Sequence, residues 1–177
     1  MKLQSCKGAE VQRSRGKKAE GARLIELTFG KYAIVDAEDC DLLSVYKWCT
    51  VKKDQTWYAY TLTIEGKRLP MHRLIMDEPK GLFVDHRDHN GLNNRKTNLR
   101  ICTQSQNNWN IRPIGKTSRY KGVCWHKRRN KFIARIQIDG KRIHIGCFDD
   151  EIDAAKAYDK KAKELFGEFA YLNFPNE

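Results

Sequence analysis

The 177-residue chain has no apolar run long enough to span a membrane. Its opening segment, MKLQSCKGAEVQRSRGKK, lacks the apolar stretch of a secretory signal. Together these absences predict an intracellular protein with no membrane role. The six cysteines (6, 40, 49, 102, 124 and 147) contain no C-x-x-C pair, which argues against a cysteine-built zinc site. A disulfide framework is not expected in such a chain, so the cysteines read as small buried hydrophobes. Acid is almost missing from one region. Residues 111–148 hold eleven Lys/Arg (112, 116, 119, 121, 127, 128, 129, 131, 135, 141, 142) against a single acid, Asp139. Residues 149–164 reverse this, with six acids against four lysines. A surface shaped for solubility alone would intersperse the signs. The net charge of +12 and pI near 9.5 point to a polyanionic partner, most simply nucleic acid.

The hydrophobic periods predict an α+β protein. Residues 1–20 carry six Lys/Arg and two Glu and read as a basic flexible arm. A strand-rich part follows. RLIELTFGKYAIVD has two β-prone runs around Gly30, and WYAYTLTIEGKRLPMHRLI alternates before a turn at Glu65-Gly66. Between them AEDCDLLSVYKW reads as a short helix with Asp36 or Asp39 near its start. Val84 ends a strand, DHRDHNGLNNR is a loop turning at Asn90-Gly91, and TNLRICTQSQNNWN becomes helical towards its end. A linker is expected at 111–118, where Pro113 and Gly115 interrupt any period.

The last part reads as a three-stranded antiparallel sheet on one helix. YKGVCWHKR, NKFIARIQI and KRIHIGCF are the strands, the last two joined by the tight-turn pair Asp139-Gly140. DDEIDAAKAYDKKAKELFG is the helix. Its cap is Asp149 or Asp150, its apolar stripe is Ile152, Ala155, Tyr158, Ala162, Leu165 and Phe166, and Gly167 stops it. The period of two sends Phe132, Ala134, Ile136 and Ile138 towards the helix and Arg135 and Gln137 away from it. Arg142 and His144 join the outward set. Arg and Gln are the side chains that pair with base edges through two hydrogen bonds, and a sheet can enter the major groove. Arg119, Lys121 and Lys127 complete the expected DNA contacts. Trp125 and Phe132 read as core.

FVDHRDHNGLNNRKTNLRICTQSQNN, residues 83–108, sets six asparagines beside two histidines. Asn is costly to bury unless its amide is satisfied. A carboxylate such as Asp85 is a hard oxygen ligand suited to magnesium. A neutral imidazole such as His86 can take a proton from water. An amide oxygen adds a ligand without adding charge. The combination suits phosphodiester hydrolysis, in which one group activates water while a metal neutralises the leaving oxygen.

VDHRDHNGLNNRKTNLRICTQSQNN resembles the HNH nucleases, in the branch where Asp replaces the first His. MHRLIM, 71–76, and the strands before it resemble phage and intron members. The resemblance implies a ββα-metal motif with one divalent cation, magnesium or alternatively manganese. It implies Asp85 and Asn107 as metal ligands, His86 as general base, and Asn98 as the brace that helps orient it. Asn90, Asn93 and Asn94 then fold the loop onto its own backbone. His89 is expected in a surface turn, and His72 to be structural or phosphate-facing. Residues 117–174 resemble a second family, the Apetala-two/ethylene-response-factor DNA-binding domain, through SRYKGV, RIHIGCFDDEIDAAKAYDKKA and AYLNFP. That resemblance implies a sheet reading the major groove. Cys124 and His144 stand where plant members usually have Arg and Trp, so the target sequence does not transfer.

The domains expected are therefore an HNH nuclease part over 21–110 and a DNA-binding part over 119–175. The function expected is a homing-type endonuclease that nicks or cuts double-stranded DNA as a monomer, without a small-molecule substrate. If phage-encoded, it would act in the cytoplasm of the host cell. The competing readings are a DNA-binding regulator with an inactive HNH remnant, and a structure-selective nuclease of packaging or recombination.

Overall fold

A computed structural model describes residues 21–53, 55–113 and 117–176. The basic arm expected over 1–20 and the middle of the expected linker lie outside them. The architecture is mixed α and β, with several small antiparallel sheets and few helices, and the chain divides into two compact units, 1–103 and 104–177.

In the first unit β1 (Ala22–Glu26) and β2 (Tyr32–Asp36) form an antiparallel hairpin. A single 3-10 turn, Ala37–Asp39, leads into α1 (Cys40–Ser44). A second sheet has the order β3 (Cys49–Lys53), β4 (Thr56–Leu62), β5 (Arg68–Pro70). Then come α2 (Met71–Ile75) and the antiparallel pair β6 (Phe83–His86) and β7 (Leu99–Cys102). Ala33, Val35, Leu43, Ala59, Met71, Val84 and Leu99 make one core.

Three of these elements differ from the sequence reading. β3 ends in the exposed Lys52 and Lys53 and is held by its pairing with β4. α2 follows Pro70, which sits at its cap position, and it buries Met71 and Ile75 one turn apart. So short a helix depends on packing, not propensity. β7 buries Arg100, which hides its apolar pattern.

The second unit begins with α3 (Gln104–Trp109). The three-stranded sheet follows, β8 (Val123–His126), β9 (Lys131–Ile138) and β10 (Lys141–Phe148), with β9 central. At the β9–β10 turn both Asp139 (φ 49) and Gly140 (φ 75) are left-handed, as a two-residue hairpin requires. α4 (Glu151–Phe166) crosses one face. Asp150 caps it by accepting from the amides of Ile152 and Asp153. Ala155, Tyr158, Ala162 and Phe166 of the expected stripe are buried, whereas Ile152 is exposed and Ala154 is buried instead. Gly122 combines a φ of +77 with a close approach; a Cβ there would stand 2.0 Å from the Tyr158 ring.

The division at Thr103/Gln104 falls ahead of the linker expected over 111–118, and Trp109 supplies the reason. Its ring stacks on Phe166 at 4.4 Å and 12°. Its carbonyl accepts from the Tyr171 amide at 3.3 Å and from the Lys121 ammonium, which also donates to the Ile111 carbonyl at 2.8 Å. Burial pushes the Lys121 ammonium down to about 8. A fragment starting at Gln104 is therefore expected to melt higher than one starting at Thr117. The shorter fragment loses the stack and leaves the Lys121 charge without its carbonyls. A loss of about 2–4 kcal/mol would lower its Tm by roughly 10 °C or more in so small a domain. Equal melting of the two fragments in calorimetry would restore the boundary to 111–118.

Candidate active site and nucleic-acid interface

β6 and β7 place Asp85 opposite Arg100 and His86 opposite Leu99. Adjacent strand residues face opposite sides, so Asp85 and His86 diverge, and both are buried. The Arg100 guanidinium donates to Asp85 Oδ2 twice, from Nη2 at 2.7 Å and Nε at 3.0 Å. A buried carboxylate needs such compensation. The His86 ring meets His72 edge-on at 4.9 Å and Tyr58 at 5.7 Å, and its Nε2 is 3.3 Å from Asn94 Oδ1. Burial lowers the pKa of His86 and lowers that of His72 to about 3, so both rings are neutral at neutral pH. His72 Nδ1 and Asn94 Nδ2 are buried without hydrogen-bond partners.

The loop from Arg87 to Asn98 is organised around Asp88. Its carboxylate accepts from the Asn90 amide at 2.8 Å, from Asn93 Nδ2 at 2.7 Å and from Asn98 Nδ2 at 2.9 Å. Burial raises its pKa, but these hydrogen bonds outweigh burial and hold it below the usual carboxylate range. Asn98 Nδ2 also donates to the Asn93 carbonyl, and Asn98 Oδ1 accepts from the Asp88 amide. Outside the loop, Ile34 of β2 donates to the Leu92 carbonyl and accepts from the Asn94 amide. Gly91 lies against β4, where a Cβ would come within 2.5 Å of the Trp57 carbonyl oxygen. His89 sits in a turn with φ 60.

Asp85 and His86 are thus neighbours on β6 that face opposite sides, while the Asn98 side chain engages Asp88 and Asn93 within the loop that follows. Asn107 lies on α3, in the second unit, where its carbonyl accepts from the Asn110 amide. Among the described residues no group of three or more His, Cys, Asp or Glu converges. A cation held by Asp85 and an asparagine would rest on hard oxygen donors, a donor set that suits magnesium or manganese. The sequence reading missed Asp88, expected Asn94 to bond the loop backbone where its Oδ1 instead faces His86 Nε2, and left open what His72 touches. The one available signal was the D-x-N spacing of Asp88 and Asn90, which favours a side-chain-to-backbone turn.

On the second unit, Arg142 lies opposite Gln137 and His144 opposite Arg135 across the β9–β10 ladder, and all four are exposed. A bulge follows between His144 and Gly146. Arg119 is exposed, with its guanidinium 4.9 Å from the centre of the Tyr120 ring, and Lys127 is exposed in a 3-10 turn. Lys121 differs from the rest, because its ammonium is engaged by the Trp109 and Ile111 carbonyls. Trp125 and Phe132 pack edge-on at 4.8 Å, each half-buried.

Two family models match the chain: HNH endonuclease over residues 77–109 and AP2 domain over 118–168. The chain is 33% identical over 150 residues to a protein of Acanthamoeba polyphaga mimivirus described as an uncharacterized HNH endonuclease, covering 81% of this chain and 75% of that protein. It is 34% identical over 93 residues to Protein 3.8 of Escherichia phage T7, covering 52% and 76%. An AP2-like ethylene-responsive transcription factor of Arabidopsis thaliana is 37% identical over 62 residues, covering 35% of this chain and 13% of the plant protein. No solved structure matches the chain. Among the described residues, no helix is long and apolar enough to cross a membrane.

The buried imidazoles make stability depend on pH. His72 has its pKa lowered from 6.5 to about 3 by burial, so between those values the unfolded chain binds the proton and the folded one does not. Stability from this group is complete above pH 6.5 and is lost as pH falls towards 3. Denaturant unfolding of the first unit at pH 7 and pH 5 should show a loss about 2 kcal/mol larger than that of His72→Phe, which keeps the loss due to His86. An identical loss in that variant would assign it to other groups.

Proposed function

The chain belongs to the HNH endonuclease family and carries an AP2 domain beside the HNH segment, and on that premise we propose a metal-dependent DNA endonuclease of homing type. It hydrolyses phosphodiester bonds at a recognised site in double-stranded DNA. The observation that carries this reading is the placement of His86. It is a buried, neutral imidazole next to the Asp85 carboxylate, at the mouth of a loop braced by Asp88 and Asn98.

His86 takes the proton from the attacking water. Asn94 Oδ1 faces Nε2 and can only accept there, which favours the tautomer with hydrogen on Nε2. Nδ1 is then the basic nitrogen. Asn98 acts as a positioning residue, since its amide ties the two ends of the loop that begins beside His86. Asp85 and Asn107 are the oxygen ligands assigned to a divalent cation, magnesium before manganese. When bound, such a cation neutralises charge on the phosphate and the leaving oxygen. Arg135, Gln137, Arg142 and His144 read the major groove, with Arg119 and Lys127 beside them. One catalytic centre in a monomer cuts one strand at a time, so a double-strand break requires two successive events.

His86→Ala is expected to lose about two to four decades of cleavage rate while duplex affinity hardly changes. Asp85→Ala and Asn107→Ala should in addition raise the metal concentration needed for half-maximal rate. The lowered His86 pKa puts the rising limb of the pH–rate profile below pH 6.5, with a plateau already reached at pH 7. His89→Ala is the control and should cleave at the parental rate. Normal cleavage by His86→Ala together with loss in His89→Ala would show the motif to be read in the wrong register. Cleavage by every variant without added metal would remove the mechanism.

A further inference from the structure

The second unit holds a groove of about 700 Å³ whose walls come from two different parts of the chain. One wall is the exposed sheet face with Arg135, Gln137 and Arg142. The other is the segment from α3 onwards, including Asn108 and Arg112. This segment lies ahead of the AP2 match at 118–168, and Arg112 lies outside both matched regions. We infer that the segment 105–113 is a second DNA-binding element, which takes the sugar-phosphate backbone of one strand running beside the sheet. The inference rests on the duplex-binding half of the proposed function and not on the cleavage half.

Charge and hydrogen-bonding chemistry point to that occupant. Three arginines line the groove against one carboxylate, Asp139. Guanidinium forks match phosphate oxygens, and backbone contacts of this kind set register without reading sequence. Asn108 accepts from Gln104 Nε2 through Oδ1, which leaves its Nδ2 to serve as a neutral donor. Arg112 is exposed at the end of the wall.

The wall is also held in place before anything binds. Trp109 is stacked on Phe166, and the Lys121 ammonium joins the carbonyls of Trp109 and Ile111. Lys121 lines the groove, yet its charge is used to fasten the segment. A fastened wall spares the ordering cost that a loose basic segment would meet on binding. Lys121 and Trp109 are then positioning residues, and Arg112 is the contact.

The test is duplex binding by the full chain across a salt series, with a chelator present so that cleavage plays no part. Arg112→Ala should reduce the slope of log K against log salt by about 0.9, the share of one phosphate contact, and should weaken all duplex sequences equally. Trp109→Ala should weaken binding while keeping the parental slope, and Trp109→Phe, which restores a stacked ring, should return the affinity. Lys160→Ala, an exposed cation on α4, should bind as the parent does. The inference is overturned if Arg112→Ala keeps the parental slope, or if its loss is confined to one sequence, which would make it a base contact. Millimolar inorganic phosphate displacing duplex as well as a competing duplex does would equally overturn it, in favour of a small-anion pocket. Because Arg112 is exposed, its variant carries the test even if Trp109→Ala unfolds. A parent that binds no duplex at all would sink the DNA-binding reading itself, whereas binding with an unaltered slope sinks only the groove.

Discussion

A single carboxylate, Asp88, holds the loop on which the candidate site depends. Buried amides are expensive unless each finds a partner, and this loop concentrates them. Asp88 resolves much of that problem, because an ionised carboxylate accepts several hydrogen bonds at once. Asn90, Asn93 and Asn98 all converge on it. The first hairpin completes the loop from outside through Ile34. Lys96 adds a further tie, its amide donating to Asp36 and its ammonium pairing with Glu38 and Asp39. The strands that precede the HNH segment thus act as the platform on which its loop is built.

Asp85 presents a different balance. Its carboxylate is buried and already faces the Arg100 guanidinium at 2.7 Å. Such a pair is weak evidence for stability, because two desolvation costs oppose one attraction. Any cation drawn to Asp85 would meet the positive charge of Arg100 across the strand pair.

Much of the second unit was legible from period and turn chemistry. Alternation along β9 and β10, the Asp139-Gly140 turn and the Asp150 cap are local signals, and each is realised. The failure at Ile152 is also local, confined to the first turn, where Ala154 packs with Val123 and Ala134 instead. The first unit was less legible because its short elements are stabilised by distant partners. β3 depends on β4, and β7 conceals a buried arginine that answers Asp85. At the site, Asp85 and His86 stood out through their chemistry and Asn98 only through the resemblance to HNH nucleases. Asp88, and the pairing of Asn94 with His86, did not, because their value lies in which donors and acceptors reach them after folding.

The Trp109–Phe166 stack has a consequence for how such proteins are assembled. The two family matches meet in a stretch that looks like a spare connector, the natural point for gene fusion or exchange. The ring of Trp109 makes that point a poor one. A reader domain transplanted from Thr117 onwards would arrive with the face of Phe166 uncovered and Lys121 without its carbonyls. A recombinant joined at Thr103/Gln104 would carry its own cover. A transplant that keeps this packing intact would therefore carry the AP2 match together with α3.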